Sequence, residues 1–277
     1  MRITEQISAV TDLPTLPEIM LRVHEVVSSG EGSAAALAAV VRQDPSLSAK
    51  ILKVANSAFY GMGGTAISSV ERAVARIGFN EVRNISTVVG LVRQFQKKSA
   101  LLDYPGFWRH SLCTALLAQG AGSAPERERL FLAGLLHDIG ILVYDQHFHD
   151  RFERIVSYCR DGMLPFASAE GTVAGEDTHG AVGAALLAHW KLDQSVATAV
   201  RLHHAPSDAP PGDAHMVGVI AAAEVVICNA EDAPFEGRLL EPVAGLVERH
   251  FGAAARGGGG GAEVAACREK ADLILSA

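Results

Sequence analysis

The stretch ISSVERAVARIGFNEVRN, residues 67–84, decides the class of fold. Val70, Val74 and Ile77 recur at the spacing of one helix face, Ser68 with Glu71 fits the S-x-x-E capping box, and Gly78 is the residue type expected just past a helix C-terminus. Asn80 can then cap a second helix that runs through Val92 to Phe95. Upstream, RQDPSLSAKILKVANSAFYG (42–61) carries a proline that disfavours helix in the residue before it but suits the first helical position, so Asp44-Pro45 reads as a corner between two helices. Ser33 can cap the Ala-rich helix that ends there. Leu16, Ile19, Met20, Val23, Val26 and Val27 make an amphipathic helix over 16–29 that stops at Gly30. No strand-like alternation bounded by hairpin turns interrupts this series, so the first hundred residues read as an all-helical bundle.

The helical periodicity continues, with helices expected over 106–119, 127–144, 146–161, 178–190, 193–203 and 214–230. The fold class is therefore all-α, in two helical lobes. KKSALLDYPGF (97–107), with its charge pair and Pro-Gly turn, divides a lobe over 9–98 from one over 99–232. A tail over 233–277 follows; ARGGGGGAE (255–263) is a linker and CREKADLILSA (267–277) a short helix at most.

Composition narrows the function. The 277 residues are 49% hydrophobic, too apolar for intrinsic disorder. With 24 Lys+Arg against 31 Asp+Glu the net charge is −7, which does not suggest the concentrated basic face that nucleic acid requires. No secretory h-region and no run of ~18 apolar residues occurs, so neither export nor a membrane span is expected. Cys113, Cys159, Cys228 and Cys267 are too scattered for a CxxC motif and read as buried thiols in a reducing compartment. A cytoplasmic protein is the expectation.

Nine of the eleven histidines fall between His110 and His215. They occur as FWRHS with His110, LLHDIG with His137 and Asp138, EDTHGAVG with His179, and LHHAP with His203 and His204. Leu130, Ala133, Gly134, Ile141 and Leu142 surround the His-Asp pair with apolar positions, so it faces inward, where a carboxylate is costly unless it is paired or binds metal. Glu224, alone among the apolar residues from Met216 to Cys228, asks for a partner on the same ground. Imidazole nitrogens with carboxylate oxygens suit iron, manganese or zinc, and histidines from separate helices can converge on one centre. The competing reading is a structural core in which the histidines pair with Asp138, Asp177 and backbone. His147, His149, His189, His215 and His250 have no place in the series and read as surface or packing residues.

Taken in order, LPTLP (13–17), RQDPSLSAKILKVANSAFYG and ISSVERAVARIGFNEVRN resemble the amino-terminal part of the HDOD family, the HD-related output domains of bacterial signalling proteins. Asn56, Ser57 and Tyr60 within them read as a buried turn satisfying backbone, with a ligand contact as the alternative. The series H, HD, H, HH and a final acid resembles the HD superfamily of metal-dependent phosphohydrolases, and the likeness to HDOD proteins runs from about residue 9 to 230. The resemblance implies a first metal held by His110, His137 and Asp138, with Glu224 where aspartate is usual. In two-metal relatives His179, His203 and His204 would hold the second. Two departures from hydrolytic relatives stand out: Ile141 replaces the lysine of an HDIGK motif, and HHAPSDAPPGD (203–213) replaces a GYP-containing loop. The resemblance therefore implies a signalling output that binds a protein partner or a small nucleotide-type ligand through non-covalent contact, with one or two divalent ions and without turnover. The alternative is an active phosphohydrolase on a cyclic dinucleotide or nucleotide. No attached receiver, kinase or DNA-reading module is expected, and the oligomeric state is left open.

Overall fold

In a computed structural model the described residues are 2–7, 13–29, 33–61, 65–96, 99–162, 164–231, 250–251 and 261–276. Among them there is no strand. The chain divides into two compact units, one of Pro14–Gln96 with Glu269–Ala277, the other of Met1–Leu13 with Lys97–Arg268.

The unit built on Pro14–Gln96 contains α2 (Glu18–Ser28), α3 (Ala34–Val41), α4 (Pro45–Ala55), α5 (Ala58–Gly61), α6 (Val70–Ile77) and α7 (Phe79–Gln94). Helix α2 lies against α3 and α7, and α6 against α3 and α4. Val23, Leu37, Val41, Leu47, Ile51, Val54, Val74, Ile85 and Leu91 form its dry interior. The expected corner is present: the Asp44 carboxylate accepts from Leu47 N at 2.9 Å with Pro45 at the first helical position. Ser33 caps α3 through Ala36 N.

Two expected caps shift. Ser69, not Ser68, caps α6, accepting from Arg72 N at 3.4 Å, and its hydroxyl donates to Glu71 Oε2 at 2.7 Å. The reason lies in Asn56, whose amide exchanges two 2.7 Å hydrogen bonds with the backbone of Ile67 and holds that segment extended until Val70. Asn80 caps nothing, because α7 starts at Phe79 directly behind Gly78. Gly78 closes α6 at φ +87°, a conformation that favours glycine, and opens α7 in the same step.

The C-terminal segment forms more than the short helix expected. Helix α16 (Gly261–Leu275) buries Val264, Ala271 and Ile274. From Glu269 onward its residues belong to the Pro14–Gln96 unit. There Lys270 Nζ meets Glu81 Oε2 at 2.6 Å and lies 5.8 Å from the Tyr60 ring centre. Most of the glycine-rich linker, and the expected helix stop at Gly30, lie outside the described residues.

The other unit begins with α1 (Ile3–Gln6) and continues with α8 (Tyr104–Ala121), α9 (Arg127–Leu136), α10 (Ile139–His147), α11 (His149–Gly162), α12 (Phe166–Ala174), α13 (His179–His189), α14 (Gln194–Leu202) and α15 (Ala214–Glu231). Helix α8 packs on α9 and α15, and α13 on α10 and α14. Two results depart from the periodicity. The run read as one helix over 127–144 is two, broken at His137 and Asp138, and α12 occupies a segment for which no helix was expected. Cys113, Cys159 and Cys228 are buried and in no disulfide, as expected, whereas Cys267 on α16 is only half-buried.

Candidate metal centre

The break between α9 and α10 positions the site. Asp138, at φ −100° and ψ 7°, sits in the sparsely populated bridge region and turns the chain so that α10 lies against α13. The approach depends on Gly140: a Cβ there would stand 2.8 Å from the His179 carbonyl carbon and 2.9 Å from Gly183 N. His110 projects from α8, His179 opens α13, His203 and His204 follow α14, and Glu224 lies within α15.

Asp138 joins two groups of donors. His110, His137 and Asp138 form one set of mutually close atoms; Asp138, His179, His203 and His204 form the other. On the first side His137 Nε2 lies 3.0 Å and His110 Nε2 3.8 Å from Asp138 Oδ2, and the two imidazole nitrogens are 3.3 Å apart. On the second side Asp138 Oδ1 faces His179 Nε2 at 3.2 Å and His203 Nε2 at 3.6 Å, with those nitrogens 3.1 Å apart. Glu224 belongs to neither set; its Oε1 stands 3.7 Å from His204 Nε2. Of the seven residues singled out in the sequence, six thus meet around one carboxylate and the seventh lies beside them.

The tautomers follow from the outward nitrogens. His137 Nδ1 donates to Gly134 O at 2.7 Å, His203 Nδ1 to Val200 O at 2.7 Å, and His179 Nδ1 to Glu170 Oε1 at 2.8 Å. With those protons committed, each ring in its neutral form would present an Nε2 lone pair to Asp138, whose buried Oδ1 has no well-formed hydrogen bond. Lone pairs directed at a carboxylate from three rings are mutually repulsive unless a cation lies among them. The spacing suits one, since two nitrogens on a tetrahedral zinc at 2.0–2.1 Å sit ~3.3 Å apart.

Charge in the cluster is shared unevenly. Burial works against the charge of Asp138, yet the imidazoles of His137, His179 and His203 hold its pKa well below the usual carboxylate range. Burial likewise opposes a charge on His179, but Glu170 and Asp138 on either side hold its pKa well above the ordinary histidine value. His203 is pushed down to about 4 by burial, Asp138 opposing and its histidine neighbours assisting. A proton on His179 places one positive charge between two buried carboxylates. A divalent ion would bring two charges there and would be held by Asp138 with the inward nitrogens of His179, His203 and His204, a donor set that fits iron, manganese or zinc.

Glu170 is the residue that the sequence reading missed. Its Oε1 receives the His179 ring proton, and its Oε2 accepts from His179 N at 2.7 Å. The available signal was its isolation in the small, apolar stretch of α12, the same signal that drew attention to Glu224. Asp177, a histidine partner only in the competing structural reading, has another role. Its carboxylate accepts from Ile3 N, Thr4 N, Thr4 Oγ1 and Arg151 Nη1, which anchors α1. The remaining histidines lie outside both donor sets: His149 Nδ1 faces Asp145 Oδ1 at 3.2 Å, and His215 is 3.8 Å from Glu126 and meets His250 edge to face.

Comparison with known proteins gives the family and the fold. The chain is similar to an uncharacterized protein of Treponema pallidum (strain Nichols), 25% identical over 232 residues that make up 82% of this chain. It spans 44% of that protein's length. In structure it is similar to an HDOD domain protein of unknown function from Geobacter sulfurreducens, at 26% identity and TM-score 0.80, covering 98% of this chain and 96% of that one. It also shares the fold of a protein from Shewanella amazonensis SB2B provisionally named a metal-dependent phosphohydrolase, at 24% identity and TM-score 0.63, covering 97% of each chain. The HDOD domain profile matches residues 13–206, most of both helical units and all six clustered donors, and the chain belongs to the HDOD family.

Proposed function

We propose that this chain is a regulatory HDOD protein that acts by binding a signalling protein or a small nucleotide-type ligand, holds one or two divalent ions at the histidine cluster, and turns over no phosphoester. The observation that carries this reading is the closure of the cluster. His110, His137, Asp138, His179 and His203 are all buried, and among the donors His204 alone, at 34% side-chain exposure, reaches solvent appreciably. Catalytic metal sites keep a position open to water and substrate, whereas closed sites hold structure. Ile141, where hydrolytic relatives carry a phosphate-binding lysine, is itself buried and apolar.

The divalent ion would be held by Asp138 with His110 and His137 on one side and His179, His203 and His204 on the other. The net charge of −7 supports a protein or small-molecule partner over nucleic acid, and a cytoplasmic location is part of the same proposal. Among the described residues no helix is long and apolar enough to cross a membrane.

One observation favours the alternative, a metal-dependent phosphohydrolase: Asp138 faces a donor set with each carboxylate oxygen, the disposition of a ligand shared by two ions. A pair of ions would polarise a phosphoryl oxygen and lower the pKa of a bound water. Elemental analysis of the purified chain, followed by a phosphodiester and nucleotide panel with the metal-loaded protein, separates the readings. Bound metal without turnover is expected; turnover abolished by His137→Ala overturns the regulatory reading in favour of the hydrolase.

A further inference from the structure

The two donor sets that share Asp138 are not equivalent, and the difference lies in Glu170. His137 is oriented by a neutral carbonyl, that of Gly134. His179 is oriented by a carboxylate that grips it twice, at the ring Nδ1 and at the backbone N, both from within the protein interior. A carboxylate behind a histidine fixes the tautomer and ring orientation and raises the basicity of the ligating nitrogen. The second set also has four donors to the first set's three. Finally, two buried carboxylates, Asp138 and Glu170, flank His179, so a divalent ion bound there brings the local charge to zero.

We propose that Glu170 is a positioning residue that makes the Asp138–His179–His203–His204 set the tighter metal site, filled before the set formed by His110, His137 and Asp138. The HD pair that marks the family in sequence then completes the weaker site. Glu170 touches no ion; it acts through His179, holding Nε2 towards Asp138 Oδ1. The inference rests on the reading of the cluster as a metal centre, and the experiment keeps the two apart.

The test is a titration of the full metal-free chain with Co²⁺, followed by visible d–d absorption and by calorimetry. The wild-type chain is expected to show a tight and a weaker event. Glu170→Gln keeps the size and one acceptor oxygen but loses the charge; it should weaken the tight event 10–100-fold, alter its absorption band, and leave the weaker event in place. His110→Ala should remove the weaker event alone. His204→Ala, a change at the most exposed donor, should weaken the tight event and keeps the test decisive if the Glu170 variant does not fold. A tight event untouched by Glu170→Gln, or one removed by His110→Ala, overturns the inference while the metal reading stands. A wild-type chain that binds no Co²⁺ overturns both.

Discussion

Replacing Gly140 by alanine tests whether close contact between α10 and α13 builds the cluster. The added Cβ would stand 2.8 Å from the carbonyl carbon of His179 and 2.9 Å from Gly183 N, where ordinary contact begins at 3.4 Å. These neighbours are backbone, so no side chain can swing aside, and because the His179 carbonyl oxygen lies closer still than its carbon the helices must part by roughly 1 Å or more to restore ordinary contact. Overpacking against backbone this close belongs at the upper end of the usual ~1–3 kcal/mol, and the gain from replacing glycine in a helix offsets about 0.5–1 kcal/mol, leaving a net loss of ~2 kcal/mol. The same displacement carries Asp138 away from His179, and metal ligands tolerate only about 0.2 Å. Affinity at the four-donor set should therefore fall together with stability. Urea unfolding of the full chain, with and without Zn²⁺, reads both effects: a lower midpoint in the apo protein and a smaller shift on adding metal. Gly171→Ala in α12, where a Cβ meets nothing within 4 Å, serves as the control and should stabilise. A midpoint unchanged or raised by Gly140→Ala, with the metal shift intact, would refute the reasoning.

Three further outcomes are expected. Lys50, 7% exposed in α4, has a pKa lowered to about 8 by burial, with Lys53 and Arg93 adding to it. Because the folded pKa lies below that of the unfolded chain, the unfolded state holds more protons between about pH 8 and 10.4, and stability gains from neutralising Lys50 as pH rises through that window. Thermal melts of wild type and Lys50→Met should therefore differ most near pH 7 and converge towards pH 10, and a difference independent of pH contradicts the assignment. Lys270→Met leaves the mostly buried Glu81 without its ion-pair partner and should cost ~1–3 kcal/mol by urea unfolding, most of it recovered in the double variant with Glu81→Gln. Tyr144→Phe removes the hydroxyl that donates to the Asp177 carbonyl and should cost about 1–2 kcal/mol; amide exchange of α1, anchored by the same residue, should rise with it.

What could be read from the residues was governed by local rules, and what escaped depended on distant ones. Asp44-Pro45 and Gly78 dictate their own backbone conformations, so the helix boundaries they set appear as expected. Ser68 and Ser69 are equally good caps by local chemistry; the choice is made by Asn56, which reaches across eleven residues to hold Ile67 extended. The continuous apolar run over 127–144 satisfies helical periodicity on either side of His137 and gives no hint of a break, because the bend exists only to bring α10 against α13. Glu170 has no motif at all. Its role is defined by His179, nine positions on and in another helix, and the one local mark is an acid whose surroundings offer no other reason for it.

The broken periodicity also explains how a helical bundle orients these ligands. His137 and His203 each cap the C-terminus of a helix, and each turns Nδ1 back onto the carbonyl three residues earlier, Gly134 O and Val200 O. Carbonyls in a last turn lack helical partners and need a donor. By supplying it, each imidazole satisfies the helix end, fixes its own tautomer, and directs Nε2 forward, away from the helix, towards Asp138. His179 does the converse at a helix start. There the backbone N is the group lacking a partner, and Glu170 satisfies both it and the ring. A histidine in mid-helix would find its nearby carbonyls already engaged and would have no such anchor. His137, His179 and His203 therefore sit at helix ends, where unsatisfied backbone can orient a ligand, whereas His110 projects from within α8; for the three, capping and ligand placement are one set of hydrogen bonds.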